Sequence, residues 1–102
     1  GAVVLACPVP GHTKGSCMFL VDGHLLFSGD SLSWNEPHRG LRAFRRACWY
    51  SWDEQIASTQ RLADSGHTFD RLFCGHGWSH DATVGVFESS FPQLLEWMDS
   101  VR

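Results

Sequence analysis

The sequence predicts an α/β domain whose elements follow the order β-β-β-α-β-α. Short apolar runs separated by glycine-containing turns indicate the strands. Apolar residues at helical spacing, each time after a serine and a glutamate or glutamine, indicate two helices. The chain has 102 residues with an apolar content of 43%, which suits a packed globular protein. We therefore predict one domain over residues 1–102.

The first three strands are predicted from apolar runs and one turn. Residues 2–7 form the first run, and residues 17–21 and 25–28 flank Asp22-Gly23. An Asp-Gly pair between apolar runs favours a tight hairpin, because a type I′ turn needs positive φ at both central positions. We therefore expect the second and third strands to pair.

The first helix is predicted to follow a long loop. Residues 31–50 show no clean period, and we expect a loop there that contains a short helix. The capping box Ser51-x-x-Glu54 then begins a helix, which we expect to end near Gly66. Its predicted apolar face comprises Trp52, Ile56, Thr59, Leu62 and Ala63.

A fourth strand and a second helix complete the prediction. Residues 69–74 are typical of a strand. A second capping-box pattern, Ser90-x-x-Gln93, begins the final helix, and Pro92 is tolerated in its first turn. The predicted apolar face of this helix comprises Phe91, Leu94, Leu95, Met98 and Val101.

Composition argues against several classes of partner. The net charge of −3 gives no general attraction to nucleic acid or to an anionic membrane. No apolar run approaches the roughly 18 residues that span a bilayer. We therefore expect neither nucleic acid nor membrane as a partner. An apolar run follows Gly1 directly, which indicates a chain cut from a larger protein, with or without a targeting segment upstream.

The four cysteines are spread widely and form no Cys-x-x-Cys pair, which argues against a zinc ribbon. Their even number permits two disulfides, but the chain lacks the cysteine density of a small secreted scaffold. We therefore expect reduced thiols in an intracellular, cytoplasmic protein; an organelle such as the chloroplast is also compatible.

Three metal-capable side chains stand among glycines at the ends of predicted strands. They are His12, Asp30 and His76, and imidazole and carboxylate are ligands for zinc, iron or manganese. If the strands share one sheet, their ends place the three side chains on one rim. Taken singly, each is better explained as a solvated loop residue or an ordinary turn, so the prediction depends on the combination.

The combination resembles the C-terminal half of the metallo-β-lactamase superfamily, including its glyoxalase II-like branch. The resemblance covers roughly residues 1–80. Its elements are Pro10-Gly11-His12-Thr13-x-Gly15-Ser16, Val21-Asp22-Gly23-His24-Leu25-Leu26-Phe27, Ser28-Gly29-Asp30-Ser31-Leu32 and Leu72-Phe73-Cys74-Gly75-His76-Gly77. The resemblance implies part of an αββα sandwich, with a metal site between its two halves.

The resemblance also implies a role for each residue. His12 resembles a ligand of a first metal, Asp30 the catalytic carboxylate that bridges two metals, and His76 a ligand of the second metal. One or two zinc ions are implied, with iron or manganese as alternatives. A metal-bound hydroxide then attacks a small-molecule substrate, since metal lowers the pKa of bound water to about 7.

The family's main signature, His-x-His-x-Asp-His, is absent from this chain. The resemblance places it about 50–80 residues before His12, within the size of half a domain. Without it each metal has fewer than the three protein ligands usual for catalytic zinc. We therefore expect the fragment alone to bind metal weakly, and to pair with its N-terminal half or with a second copy.

Three further features leave alternatives open. Four arginines with a histidine form a local basic cluster; they are His38, Arg39, Arg42, Arg45 and Arg46. The cluster is either an anion site or a solvated face, and we favour the solvated face because exposed arginine pairs are common and weak. The aromatic run at residues 48–52 is either a wall of the substrate pocket or packing of the helix on the core. Cys74, His76 and His80 form a third, weaker candidate, a separate softer metal site.

Two functions compete. The first is a metal-dependent hydrolase acting on an ester or thioester, as in the glyoxalase II-like branch; nuclease and lactamase branches share its ligands. The second is a non-catalytic remnant that acts as a binding or dimerisation module, because an open half-sandwich exposes an apolar sheet face.

Overall fold

The computed structural model describes residues 1–75, 79–82 and 85–102. The strands are β1 (Val4–Pro8), β2 (Cys17–Val21), β3 (Leu25–Gly29), β4 (Ser33–Asn35), β5 (Gly40–Arg42), β6 (Arg71–Cys74) and β7 (Ser79–Asp81). The helices are α1 (Trp52–Asp64), α2 (Val86–Ser89) and α3 (Phe91–Ser100), with one 3-10 helix at Arg45–Ala47. None of the helices in this part of the chain is long and apolar enough to cross a membrane.

Five strands form one sheet in the order β1-β2-β3-β6-β7. The predicted hairpin joins β2 to β3, and its two turn residues, Asp22 and Gly23, have φ of 55° and 72°. Both values are positive, as a type I′ turn requires. The predicted pairing of these strands is therefore confirmed.

Strand direction brings three strand ends to one edge of this sheet. The β1–β2 and β2–β3 pairs are antiparallel, so β1 runs in the same direction as β3. The β3–β6 pair is parallel. The carboxyl ends of β1, β3 and β6 consequently meet at the same edge, where the three predicted site loops begin.

The sheet has one covered face and one open face. Alternate side chains along the strands point toward the helices and are almost fully buried, among them Met18, Leu26 and Leu72. On the opposite face, Phe19 and Phe27 keep 43% and 40% of their surface exposed. Phe27 stacks on Phe73 there, with ring centroids 4.5 Å apart. Among the described residues, helices pack on one side of the sheet only.

The Ser51 half of the capping box predicted for α1 is present, directly before the first residue of the helix. The Ser51 amide donates to the Gly11 carbonyl at 3.0 Å rather than to the Glu54 side chain, so the reciprocal half does not form. The Ser51 hydroxyl accepts a hydrogen bond from the Glu54 amide at 3.2 Å. Ser65 ends the helix and Gly66 follows with φ of 78°, close to the predicted end. The cap at Ser51 satisfies one of the free backbone amides in the first turn of α1.

The capping prediction for Ser90 is wrong, although a helix does follow it. Ser90 has helical backbone angles, φ −90° and ψ −8°, so its hydroxyl makes no cap to α3. The hydroxyl donates instead to the carbonyl of Phe87, the second residue of α2. The predicted apolar face is confirmed, since Phe91, Leu94 and Met98 are buried and Leu95 and Val101 pack partly buried against the core.

Residues 31–50 contain two strands as well as the short helix, so the prediction of a long loop is incomplete. Strands β4 and β5 form a separate antiparallel hairpin that pairs Trp34 with Leu41. Trp34 is buried edge-on against Phe87, with ring centroids 5.1 Å apart. This contact is distant in sequence, so no local pattern signals the strands.

Strand β7 is also not predicted from the sequence. It pairs antiparallel with β6, and a cross-strand pair joins the charged side chains of Arg71 and Asp81, with Nη2 and Oδ2 3.0 Å apart. Three residues with polar side chains carry no apolar alternation, which explains why the sequence does not predict this strand.

Candidate metal site

Asp30 stands on a tight turn at the end of β3. The pairing of β3 with β6 shifts register between Phe27 and Gly29, so Ser28 is an extra residue in the ladder. Gly29 has φ of 56°, a conformation that glycine adopts without strain. The buried Ser28 hydroxyl donates to the Leu32 carbonyl at 2.7 Å and closes the turn around Asp30.

His12 lies in the loop between β1 and β2, which is closed by its own hydrogen bonds. The Val9 amide donates to the Ser16 carbonyl at 2.9 Å. The Thr13 amide donates to the Ser16 hydroxyl at 3.0 Å, and the two hydroxyls lie 2.7 Å apart. The Thr and Ser of the predicted motif therefore shape the loop that presents His12.

The structure brings His12 and Asp30 together. The Nε2 atom of His12 lies 3.5 Å from Oδ2 of Asp30, and the two side chains are 17% and 42% exposed. This separation exceeds an ordinary hydrogen bond. Two donors on one tetrahedral zinc ion, each bonded at about 2.1 Å, stand about 3.4 Å apart. The spacing therefore fits two ligands of a shared metal ion.

The backbone of Gly75 lies directly against Asp30. The Gly75 amide donates to the Gly29 carbonyl at 2.8 Å. A methyl group on Gly75 would lie 2.1 Å from Oδ1 of Asp30 and 2.9 Å from the Gly29 carbonyl carbon. Only glycine leaves this space to the carboxylate.

A cavity of about 260 Å³ opens beside this contact, with Asp30, Gly75, Cys74 and Phe44 among its lining. His76 follows Gly75 in the sequence but lies outside the described residues. Its predicted role as a metal ligand stays a prediction. Among the described residues, no group of three metal-binding side chains comes together.

The aromatic run at residues 48–52 fits both alternatives, because one of its aromatic residues packs in the core and the other two are exposed. Trp52 is 5% exposed, donates its indole N–H to the Met98 carbonyl at 3.0 Å, and packs in the core. Trp49 and Tyr50 are 76% and 48% exposed. The Trp49 amide donates to the His12 carbonyl at 3.0 Å, which holds this aromatic next to the His12 loop.

The basic cluster does not converge on one point, because its arginines have separate partners. Arg39 pairs with Glu36 at 3.0 Å. The guanidinium of Arg42 lies 4.8 Å from the Phe44 ring centroid, and that of Arg45 lies 5.2 Å from the Trp52 centroid. This dispersal favours the solvated-face interpretation over a shared anion site.

The four cysteines are free, and the softer metal site remains a prediction. Burial and the neighbouring Cys17 thiol raise the pKa of Cys7 above its ordinary value.

His80 pairs with Leu72 across the β6–β7 ladder. The alternative that joins it to Cys74 depends on His76, which the described residues do not include.

The sequence pattern does not single out Gln55, although this residue contacts both the His12 loop and the Asp30 turn. Gln55 is 2% exposed, and its Nε2 donates to the Ser31 carbonyl at 3.3 Å. It lies on the same face of α1 as Trp52, Thr59 and Leu62, which are also buried. A glutamine at that helical spacing among buried residues was the available signal.

Comparison with known proteins identifies the fold. No protein-family model matches the sequence, and no curated protein matches it significantly. The structure is similar to an archaeal metallo-β-lactamase superfamily protein from Sulfolobus tokodaii, with a TM-score of 0.61 and 19% sequence identity. The match covers 100% of this chain and 36% of that chain. The chain therefore has the α/β fold of part of a metallo-β-lactamase-type domain.

Proposed function

We propose that this chain is the C-terminal part of a metal-dependent hydrolase of the metallo-β-lactamase superfamily. The observation that carries the proposal is the 3.5 Å separation between the donor atoms of His12 and Asp30. These residues follow two strands of a sheet whose fold matches a member of that superfamily. A histidine and a carboxylate at this spacing suit zinc, and also iron or manganese.

Each side chain has a proposed role. The imidazole of His12 binds the metal through Nε2, and the carboxylate of Asp30 binds beside it and serves as the catalytic group. His76 is proposed as a further ligand on the strength of the family resemblance. A metal bound there would activate water, lowering its pKa to about 7.

The proposed substrate is a small ester or thioester. The element around Cys74 and Gly75, with the preceding hairpin, resembles the glyoxalase II-like branch. Phe44 lines the cavity beside Asp30, and Trp49 is exposed next to the His12 loop. Such aromatic surface suits the apolar part of a small molecule.

The remaining metal ligands are proposed to come from an N-terminal half. The match covers 36% of the similar structure, so most of that protein has no counterpart in this chain. The open face around Phe19 and Phe27 is where such a half would pack. Burying that apolar face against another sheet removes it from water.

Zinc titration of the 102-residue chain tests the proposal. We expect weak, saturable binding, reduced at least about tenfold by Asp30→Ala because a ligand is lost. Asp64→Ala is the matched control, since it removes an exposed carboxylate whose partner is Gln60 at 2.9 Å on the same helix. Equal affinities for the two variants, or no binding by the unaltered chain, would contradict the proposal.

A non-catalytic binding or dimerisation module is the second candidate. It is favoured by the exposed phenylalanines of the open sheet face. Under this proposal the chain forms a stable complex with a second copy through that face. It then shows neither zinc binding that depends on Asp30 nor thioester hydrolysis when joined to the N-terminal half.

A further inference from the structure

One residue of α1 contacts both loops that carry the proposed metal ligands. Gln55 lies in the first part of the helix, and only 2% of its surface is exposed. Its backbone and Cβ face the loop of His12, and its amide faces the turn of Asp30. The helix therefore lies between the two loops as a common support.

The contact with the His12 loop is close and leaves no space. A methyl group on Gly11 would lie 2.3 Å from Cβ and 2.5 Å from Cα of Gln55. Gly11 directly precedes His12. One turn further along the helix, the Ser58 hydroxyl donates to the Pro10 carbonyl at 2.8 Å. The loop is consequently seated on α1 by backbone packing and by one side-chain hydrogen bond.

The contact with the Asp30 turn is a single hydrogen bond. Nε2 of Gln55 donates to the carbonyl of Ser31 at 3.3 Å. Ser31 directly follows Asp30 and is 5% exposed, so this bond forms away from water. A buried carbonyl needs such a donor, and an apolar side chain at position 55 would not supply one.

Stability alone gives a weak reason for glutamine at this position. Oε1 of Gln55 is buried, and among the described residues it has no hydrogen-bond partner. A buried acceptor without a donor is unfavourable, and an apolar residue of similar shape would avoid that penalty. The contact that glutamine adds is the donation from Nε2 to the Asp30 turn.

We infer that Gln55 is a positioning residue that fixes the separation of His12 and Asp30. It touches neither metal nor substrate; it acts through Gly11 on one side and Ser31 on the other. The inference rests on the proposed function, because that function makes His12 and Asp30 the metal donors. Residues that orient metal ligands in this way typically contribute a factor of about 10–100 to metal affinity.

The first test is independent of metal. Amide NMR spectra of the metal-free chain are recorded for Gln55→Met, which keeps an unbranched side chain of similar length. The control is Thr59→Val, because Thr59 is equally buried on α1 but donates only to the Gln55 carbonyl, at 2.8 Å. We expect Gln55→Met to shift the amides of Asp30 and Ser31, and Thr59→Val to leave them unchanged.

The second test measures zinc affinity and the unfolding midpoint together. We expect Gln55→Met to bind zinc about 10-fold more weakly, and Thr59→Val to keep wild-type affinity. The unfolding midpoint should change little, because the cost of leaving the Ser31 carbonyl without its donor is offset by removal of the unpaired Oε1. A merely structural role would lower the midpoint and leave the affinity of the folded chain intact. Gln55→Leu repeats both measurements if the methionine variant does not fold.

The outcomes separate the inference from the proposed function. Unchanged Asp30 and Ser31 amides in both Gln55 variants would overturn the positioning role, whatever the zinc result. Wild-type zinc affinity in a variant whose amides do shift would also overturn it. Failure of the unaltered chain to bind zinc would refute the proposed metal site, while the amide spectra still decide whether Gln55 holds the turn.

Discussion

Nε2 of His12 lies 3.5 Å from Oδ2 of Asp30, although the two residues belong to different loops. The proximity follows from strand direction, because β1 and β3 run the same way and end at one edge of the sheet. Two glycines then allow close packing around the pair, Gly11 against Gln55 and Gly75 against Asp30. The site is therefore sensitive to small changes in the backbone that supports it.

Gly75→Ala is predicted to displace the Asp30 carboxylate. The added methyl group would meet Oδ1 of Asp30 at 2.1 Å and the Gly29 backbone at 2.9 Å, so the side chain or the turn must move. We expect zinc affinity to fall at least about tenfold. Gly15→Ala is the control for calorimetric titration, because nothing lies within 4 Å of a methyl group there. Equal affinity for both variants would contradict the close packing.

Ser28→Ala is predicted to destabilise the turn that holds Asp30. The hydroxyl is 1% exposed and donates to the Leu32 carbonyl at 2.7 Å, which would lose this donor. We expect a loss of about 1–3 kcal/mol in the free energy of unfolding, measured by urea denaturation. Ser89→Ala removes a similar donation, to Val86 at 2.8 Å, but at an exposed site. If Ser89→Ala lowers the free energy of unfolding as much as Ser28→Ala does, burial of the Ser28 hydroxyl does not explain the loss of stability.

The double change Phe19→Gln with Phe27→Gln is predicted to reduce self-association of the isolated chain. These side chains are 43% and 40% exposed on the open sheet face, where apolar surface favours contact with another chain. Sedimentation velocity over a range of concentrations measures the effect. Trp97→Gln is the control, since Trp97 is 43% exposed on α3. The same monomer fraction in all three proteins would exclude the sheet face as the contact.

Ser51→Ala is predicted to weaken the start of α1. Its hydroxyl accepts a hydrogen bond from the Glu54 amide at 3.2 Å, and loss of such a cap costs about 1 kcal/mol. Thermal unfolding followed by circular dichroism measures the change in stability. Ser51→Asp keeps an acceptor at the cap and should retain the stability of the unaltered chain. If Ser51→Asp loses as much stability as Ser51→Ala, the loss of the cap is ruled out as its cause.

Cys7 is predicted to react slowly with alkylating reagents at mildly alkaline pH. Burial, and to a lesser extent the Cys17 thiol, raise its pKa, so the reactive thiolate forms only at higher pH than usual. The folded pKa lies above the unfolded one, so the stability from the protonated thiol is present below the unfolded pKa and is lost as pH rises through the folded pKa. Peptide mass spectrometry after timed alkylation measures the rate profile.

The control for this profile is Cys17→Ser. Removing the neighbouring thiol takes away one of the two causes, so the midpoint for Cys7 should move to lower pH but stay above that of the unfolded chain. A Cys7 midpoint equal to that of the unfolded chain would refute the effect of burial.

Features that depend on neighbouring residues could be predicted from the sequence. The Asp22-Gly23 turn, the cap at Ser51 and the apolar face of α3 each depend on residues within a few positions of one another. Features held by distant contacts could not. Trp34 of β4 is buried against Phe87, which lies far along the chain, and no local pattern predicts that contact. The error at Ser90 has a local cause, because its backbone angles are helical and its hydroxyl donates to Phe87 in the preceding turn.

The same division holds for the candidate site. Residue type and local apolar pattern are encoded along the chain, so they indicate which side chains can bind metal and that His12 and Asp30 follow strands. The 3.5 Å separation of the two donor atoms, and the contacts of Gln55 with both loops, arise only when the chain is folded. Strand direction and the seating of α1 on the sheet depend on contacts between distant segments, and no local pattern specifies those distances.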